Sequence, residues 1–384
     1  MRRLLALASI VVFLDVAFFT AITPLLPDYV DDLGLSKAGA GVLSAAFAAG
    51  TLIASLPAGL MATRVGPRPA LLAGLVLLGM SCVAFGFGET AVVLDLARFV
   101  QGIASALAWS GALTWVILAS PQSRRGAVIG NVIGVAVAGA LAGPALGAVA
   151  ASAGTEAVFS GVAVVTAILV LAAVRMPAPG RHEREVGEFR AAVVDPAVLR
   201  TTWFVAAAAI VLGVTAVLVP LRIDELGGSA ALVAAGFIAG AALEAGLAPL
   251  VGRYSDRAGR VRPYVVGLVV AAVGIALLPL ADGLGLVVAD LIAISIGSGI
   301  CFTPAMTMLS DSATATGLPQ GLAAGLINAA WAAGQVSGGA AGGAAAGLAG
   351  DALPCLAAAS IATATCLFAW RVGAPRMVES SASP

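Results

Sequence analysis

The chain has 384 residues, 60% of them hydrophobic and only 10% charged, and its 20 basic and 20 acidic side chains balance to a formal net charge of zero. Soluble domains carry about a quarter charged residues, so this composition excludes a water-covered globule and places the chain in a bilayer. The neutral balance excludes a nucleic-acid-binding surface. One histidine and the dispersed Cys82, Cys301, Cys355 and Cys366 form no CxxC pair, so no metal site, haem attachment or disulfide framework is expected.

A helix needs about 20 apolar residues to cross the hydrocarbon core. Punctuation by Arg, Asp, Gly and Pro predicts twelve such spans, near residues 4–27, 38–62, 69–88, 90–119, 126–150, 156–174, 201–221, 230–251, 263–281, 284–309, 321–348 and 352–370. Met1-Arg2-Arg3 and the apolar run behind it imitate a signal peptide. The run continues past Asp15 to Pro27 without a small-residue cleavage site, which favours a first span. With the N-terminus cytoplasmic, every basic residue falls on the inner side except Lys37, Arg222 and the intramembrane Arg98. A miscounted span would destroy that asymmetry. The chain is therefore expected in a cell membrane with both termini on the cytoplasmic side.

Residues 175–200 are the longest polar stretch, which divides the chain into a six-helix bundle over 1–174, a linker and a second bundle over 201–384. The halves repeat at an offset of 193. Pro27, Asp31, Leu33, Gly34 and Ser36 recur as Pro220, Asp224, Leu226, Gly227 and Ser229, and Gly59, Arg64 and Gly66 recur as Gly252, Arg257 and Gly259. Duplicated halves of this kind match the plan of a secondary transporter, with the substrate held between them near mid-membrane.

The loop Gly252-Arg-Tyr-Ser-Asp256-Arg257-Ala-Gly259-Arg260 resembles the signature loop of the major facilitator superfamily, between spans 8 and 9. A first copy, with Gly59, Arg64, Gly66 and Arg68, lies between spans 2 and 3 but has Thr63 where the family usually has Asp. Such a loop is a charge latch, in which a carboxylate holds arginines and a helix N-terminus in one conformation. A plain positive-inside anchor is the alternative, and it suits the first copy better. In span 5, Gly130, Gly139, Gly143, Pro144 and Gly147 reproduce the spacing of the family's antiporter motif, with Ala148 in place of the last Gly. In span 4, Arg98-Phe-Val-Gln101-Gly102 resembles the arginine motif of a proton-coupled branch, and span 1 is similar to the twelve-span drug:proton antiporters. The resemblance implies twelve α-helices in two pseudo-symmetric bundles, alternating access, proton as coupling ion, no cofactor, and a monomer in the lipid bilayer.

Asp15 lies eleven residues beyond Leu4, about 16 Å into the helix at 1.5 Å per residue. Helical spacing puts Phe18, Phe19 and Ile22 on its face, a setting suited to an organic cation through charge and cation–π attraction. Asp15 is thus a candidate for both proton coupling and substrate binding. Arg98 must face a cavity or a carboxylate, and two carboxylates compete for it: Asp95 on its own helix and Asp15 on another. Glu244 in span 8 is a further proton or substrate candidate. Asn131, Asn328, Trp331 and Gln335 are candidates to line the cavity, or else only bond neighbouring helices. Asp290 near a span end is as readily interfacial as functional, and His182 falls in the polar linker.

These readings predict proton-driven efflux of a small, cationic or amphipathic organic compound. Proton-coupled uptake or sugar export on the same fold is the nearest competitor, since fold does not fix substrate. A non-transporting sensor or assembly subunit is the alternative of another class. No nucleophile–base pair is present, so an enzyme is not expected.

Overall fold

The computed structural model describes residues 2–120, 125–177, 194–318 and 320–373, apart from the side chains at 125–130, 133, 249, 256, 320–321 and 373. All regular structure among them is helical. The first span is α1 (Arg2–Ala21), which passes through a 3-10 turn at Thr23–Leu25 into α2 (Leu26–Leu33). Then come α3 (Lys37–Arg64), α4 (Pro67–Gly86), α5 (Ala91–Ala119), α6 (Arg125–Ala153) and α7 (Thr155–Val174). The second half holds α8 (Pro196–Glu225), α9 (Ala230–Ala258), α10 (Val261–Leu277) and α11 (Leu284–Ala315). It ends with α12 (Gln320–Val336), α13 (Gly342–Ala349) and α14 (Ala352–Gly373). Eleven described helices are long and apolar enough to cross a membrane. The twelfth crossing is α12 and α13, joined through a π-helical turn at 337–341. A π-turn misaligns the backbone ladder locally, and here Gly338 and Gly339 supply the room.

The offset of 193 is built into the backbone. Gly34 and Gly227 both take positive φ, and each precedes a serine, Ser36 or Ser229, that caps the next helix. Gly66 and Gly259 also share positive φ. A methyl on Gly74 would lie 2.5 Å from the Ala108 nitrogen, and one on Gly267 would lie 2.5 Å from the Cys301 nitrogen, its counterpart 193 residues on. Close backbone approach at small residues is how helices associate in lipid, where no hydrophobic effect drives them together.

Across the halves, α3 packs on α12 and α13, and α6 packs on α9. Near Lys37, a methyl on Gly41 would collide with the Gly339 carbonyl, and Gly343 fits equally tightly against the Lys37 carbonyl and Gly41. Lys37 itself bonds Asp351 at 2.7 Å and Glu225 at 2.8 Å, both in the second half. The halves are drawn together at this face.

Candidate functional site

Beyond the arginines of its first turn, the one charged residue of helix α1 is Asp15, which is 2% exposed. Its neighbour α5 is rich in Ala and Gly, and it presents Arg98, Gln101, Ser105 and Trp109 at spacings of three, four and four residues. That periodicity puts all four on one stripe. Ser105 Oγ donates to Asp15 Oδ2 at 2.6 Å and Trp109 Nε1 donates to the same oxygen at 2.9 Å. The other oxygen, Oδ1, is buried and has no partner among the described residues. Ser105 and Trp109 escape a sequence reading because Ser and Trp are ordinary in such helices. The available signal is their spacing from Arg98.

Arg98 is 1% exposed and forms no ion pair among the described residues, so neither Asp95 nor Asp15 is its bonded partner. It donates to Gln101 Oε1 at 2.6 Å, to the Phe19 carbonyl at 3.2 Å and to the Phe18 carbonyl at 3.5 Å. These carbonyls belong to the last turn of α1, where the helix leaves its acceptors unpaired and its dipole favours a cation. The guanidinium carbon also lies 5.1 Å from the Phe47 ring centroid and 5.6 Å from that of Phe19. The charge is therefore stabilised by a helix end, an amide and two rings. Arg98 Nε, Gln101 Nε2 and Asp95 Oδ1 remain buried without partners among the described residues.

Trp331 on α12 reaches this cluster from the second half. Its ring centroid stands 5.4 Å from that of Phe19 and 6.4 Å from that of Phe47. The expectation that Phe18 and Phe19 serve one site together is corrected here. Phe19 turns toward Phe47 and Trp331, whereas Phe18 packs on Phe85 and Phe159, and Ile22 is buried. The reason is the tight α1–α6 seam, which fixes the rotation of α1. A methyl on Gly139 would lie 2.6 Å from the Phe13 carbonyl, and one on Gly147 would lie 2.6 Å from Pro24 Cγ, with Gly143 set against Thr20 and the Ala17 carbonyl. Pro144 sits inside α6 beside this seam. Three glycines one turn apart thus clasp the segment that carries Asp15.

A model of the Major Facilitator Superfamily matches residues 8–339. The chain belongs to this superfamily. It is a multi-pass membrane transporter and not an enzyme. Among curated proteins, 41% of the chain is 31% identical over 163 residues to 36% of the MFS-type transporter ppzB of Metarhizium majus. A stretch of 126 residues, 33% of the chain, is 29% identical to 32% of quinolone resistance protein NorA of Staphylococcus aureus. The chain therefore spans about a third of the length of the curated relatives it matches. The solved human organic anion transporter MFSD10 (TETRAN) superposes with a TM-score of 0.71 at 15% identity, over 96% of this chain and 99% of that one. A D-xylose–proton symporter gives 0.77 at 15% identity, over 96% and 97%. At such identity the likeness is one of fold.

The remaining candidates of this superfamily member lie on other helices. Glu244 is exposed on α9, has no bonded partner among the described residues, and lies over Gly299 of α11, where a methyl would strike its side chain. Asn131 is exposed on α6, and Asn328 and Gln335 are half-buried on the α12 stripe that carries Trp331. Asp290 is half-buried on α11. In the first signature loop, Gly59 is buried, Arg64 is exposed and Thr63 donates to the Gly59 and Leu60 carbonyls of its own helix. Thr63 therefore bridges nothing. Arg68 donates instead to the Val174 carbonyl, joining α4 to the end of α7. In the second loop, which includes Gly252, Arg257 is exposed, and Arg260 pairs with Asp311 at the end of α11. The side chain of Asp256, the surroundings of Gly130, and His182 lie outside the described residues. The carboxylate seen to bond a loop arginine is Asp311, which the motif alone does not indicate.

Proposed function

We propose that this transporter exports a small, amphipathic or cationic organic compound in exchange for protons. Residues 1–174 and 201–384 act as two bundles joined by 175–200, in a monomer with its arginine-rich face in the cytoplasm. The observation that carries the reading is Asp15: a carboxyl buried mid-helix, held through one oxygen by Ser105 and Trp109, with the other oxygen unpartnered. A proton or a cationic substrate group satisfies that free oxygen, and only one of them does so at a time. This exclusion is the core of antiport, because each ligand then displaces the other. The Phe19–Phe47–Trp331 contacts span the halves beside Arg98, so rocking of the halves changes the surroundings of the guanidinium. The glycine spacing of α6 and the partial likeness to a quinolone resistance protein support export. The test is uptake into energised inverted vesicles. An exporter accumulates a lipophilic cation when the lumen is acidified and loses that accumulation when the gradient collapses; a symporter accumulates nothing in that orientation, and a sensor transports in neither.

A further inference from the structure

At the arginine-rich end of the second half, the starts of α8 and α10 and the ends of α11 and α14 leave a cavity of about 240 Å³ between them. It lies in a different half from Asp15 and Arg98. Its charged lining is Arg200, Arg260 and Asp311; Phe204, Val261 and Met308 contribute apolar walls. Arg260 is committed, since it pairs with Asp311 and donates to the Thr307 carbonyl at 3.4 Å. That pair is neutral as a unit. Arg200 is half-buried and has no ion pair or hydrogen bond among the described residues, so it supplies the net charge of the cavity. A guanidinium with five unused donors in a partly apolar recess calls for a planar, multidentate anion.

The position of the recess distinguishes between kinds of anion. Arg200 lies on the second turn of α8, where the chain enters the membrane, and Arg262 and Arg371 stand exposed at the ends of neighbouring helices. Clustered arginines at this level attract the anionic head groups of the adjacent leaflet. A free inorganic anion would leave the walls of Phe204, Val261 and Met308 unused. A lipid fills them with its glycerol backbone and the root of an acyl chain. Asp311, with its second oxygen, is also an acceptor for the hydroxyls of a polyol head group.

We propose that this cavity binds an anionic glycerophospholipid of the phosphatidylglycerol type, with Arg200 as the phosphate ligand. Bound there, the lipid ties together four helices of the second half at the membrane surface. The site is independent of the transported substrate. The test uses the purified full chain in detergent, titrated with dioleoylphosphatidylglycerol, with dioleoylphosphatidylcholine and with inorganic phosphate, and read by native mass spectrometry and by thermal unfolding. One phosphatidylglycerol should stay bound and raise the unfolding temperature, while phosphatidylcholine and inorganic phosphate should do neither. Arg200→Gln should weaken retention about tenfold, the size of one lost charge-assisted contact. Arg262→Gln, outside the cavity, should retain the lipid. Equal retention by Arg200→Gln and wild type would overturn the proposal. So would equal binding of phosphatidylcholine, or stabilisation by inorganic phosphate matching that of the lipid. The last two are measured on the wild-type chain and do not depend on how any variant folds.

Discussion

The indole of Trp109 donates to Asp15 Oδ2 across 2.9 Å while its ring stays half-exposed. One side chain thus joins a carboxyl closed off from solvent to accessible space beside α5. Trp109→Phe keeps the ring and deletes the donor, leaving the carboxylate with Ser105 alone. Hydrogen bonds to charged groups contribute about 1.5–3 kcal/mol, so proton-driven transport should fall by one to two orders of magnitude. Ser105→Ala should cost a similar amount. Transport by Trp109→Phe at the wild-type rate would remove the indole from the coupling path.

Asp15→Asn replaces the carboxylate with an amide of the same shape that binds no proton in this range. It should insert and fold, since a neutral group is less costly to bury than a charge. Transport down a substrate gradient should survive in part, and transport driven by a pH gradient should vanish. The measurement is pH-gradient-driven flux in proteoliposomes. An Asn variant that still concentrates substrate would place the coupling site elsewhere, with Glu244 the next residue to substitute.

Much of this arrangement is legible in the sequence because the bilayer restricts the solutions available to a chain. Arg98 and Asp15 stand out since charge within an apolar run is costly, and the repeat of Gly34 and Ser36 as Gly227 and Ser229 is visible since capping chemistry needs those residue types. The partners of Arg98 are not legible. Composition offers it two carboxylates, yet the carbonyls of Phe18 and Phe19 serve it, and a carbonyl belongs to every residue and leaves no sequence signature. Helix rotation is equally hidden: Phe18 and Phe19 are adjacent and alike, and only the fit of Gly139, Gly143 and Gly147 against α1 decides which faces Trp331.

That fit is itself testable. Gly143 has no space for a methyl, which would press on Thr20 and the Ala17 carbonyl. Gly143→Ala must push α6 away from α1 and shift Asp15, whereas Gly134→Ala meets nothing within 4 Å. Overpacking of this kind costs about 1–3 kcal/mol. Gly143→Ala should lower thermal stability and transport together, and Gly134→Ala should change neither. Matching effects at the two positions would show that the seam is not what positions Asp15.

Lys37 holds two carboxylates of the opposite half, Asp351 and Glu225, at a face where Gly41 and Gly343 already interlock. Such partly exposed pairs contribute up to about 1 kcal/mol each. Lys37→Met should therefore shift the population toward opening of that face by several-fold without unfolding the protein. Spin labels on exposed positions of α2 and α13 would register the change as a longer distance. High salt should mimic it in wild type, because screening weakens exposed pairs. A distance distribution indifferent to both treatments would assign closure to the glycine contacts alone.

Arg98 allows the sharpest separation of structure from transport. Its guanidinium donates to Gln101 at 2.6 Å and to the last-turn carbonyls of α1, so part of its role is to cap that helix. The same charge lies within electrostatic reach of Asp15 on α1, so the other part is to set the field at the proposed coupling site. Gln101→Ala takes away a bonded acceptor and leaves a buried donor unsatisfied, a loss of about 1–3 kcal/mol in stability. Arg98→Lys preserves the charge but not the planar fork or the stacking on Phe19 and Phe47; it should fold and transport only in part. Arg98→Ala should abolish coupled transport. Double-mutant cycles then divide the two roles. Arg98 with Gln101 should show coupling above about 1 kcal/mol in unfolding, and Arg98 with Asp15 should show it in substrate-induced proton release. Asp95→Asn should be mild by both measures, because Asp95 forms no ion pair with Arg98. If Asp95 instead couples to Arg98 as strongly as Gln101 does, the arginine is held by a carboxylate of its own helix, and its proposed role beside Asp15 fails.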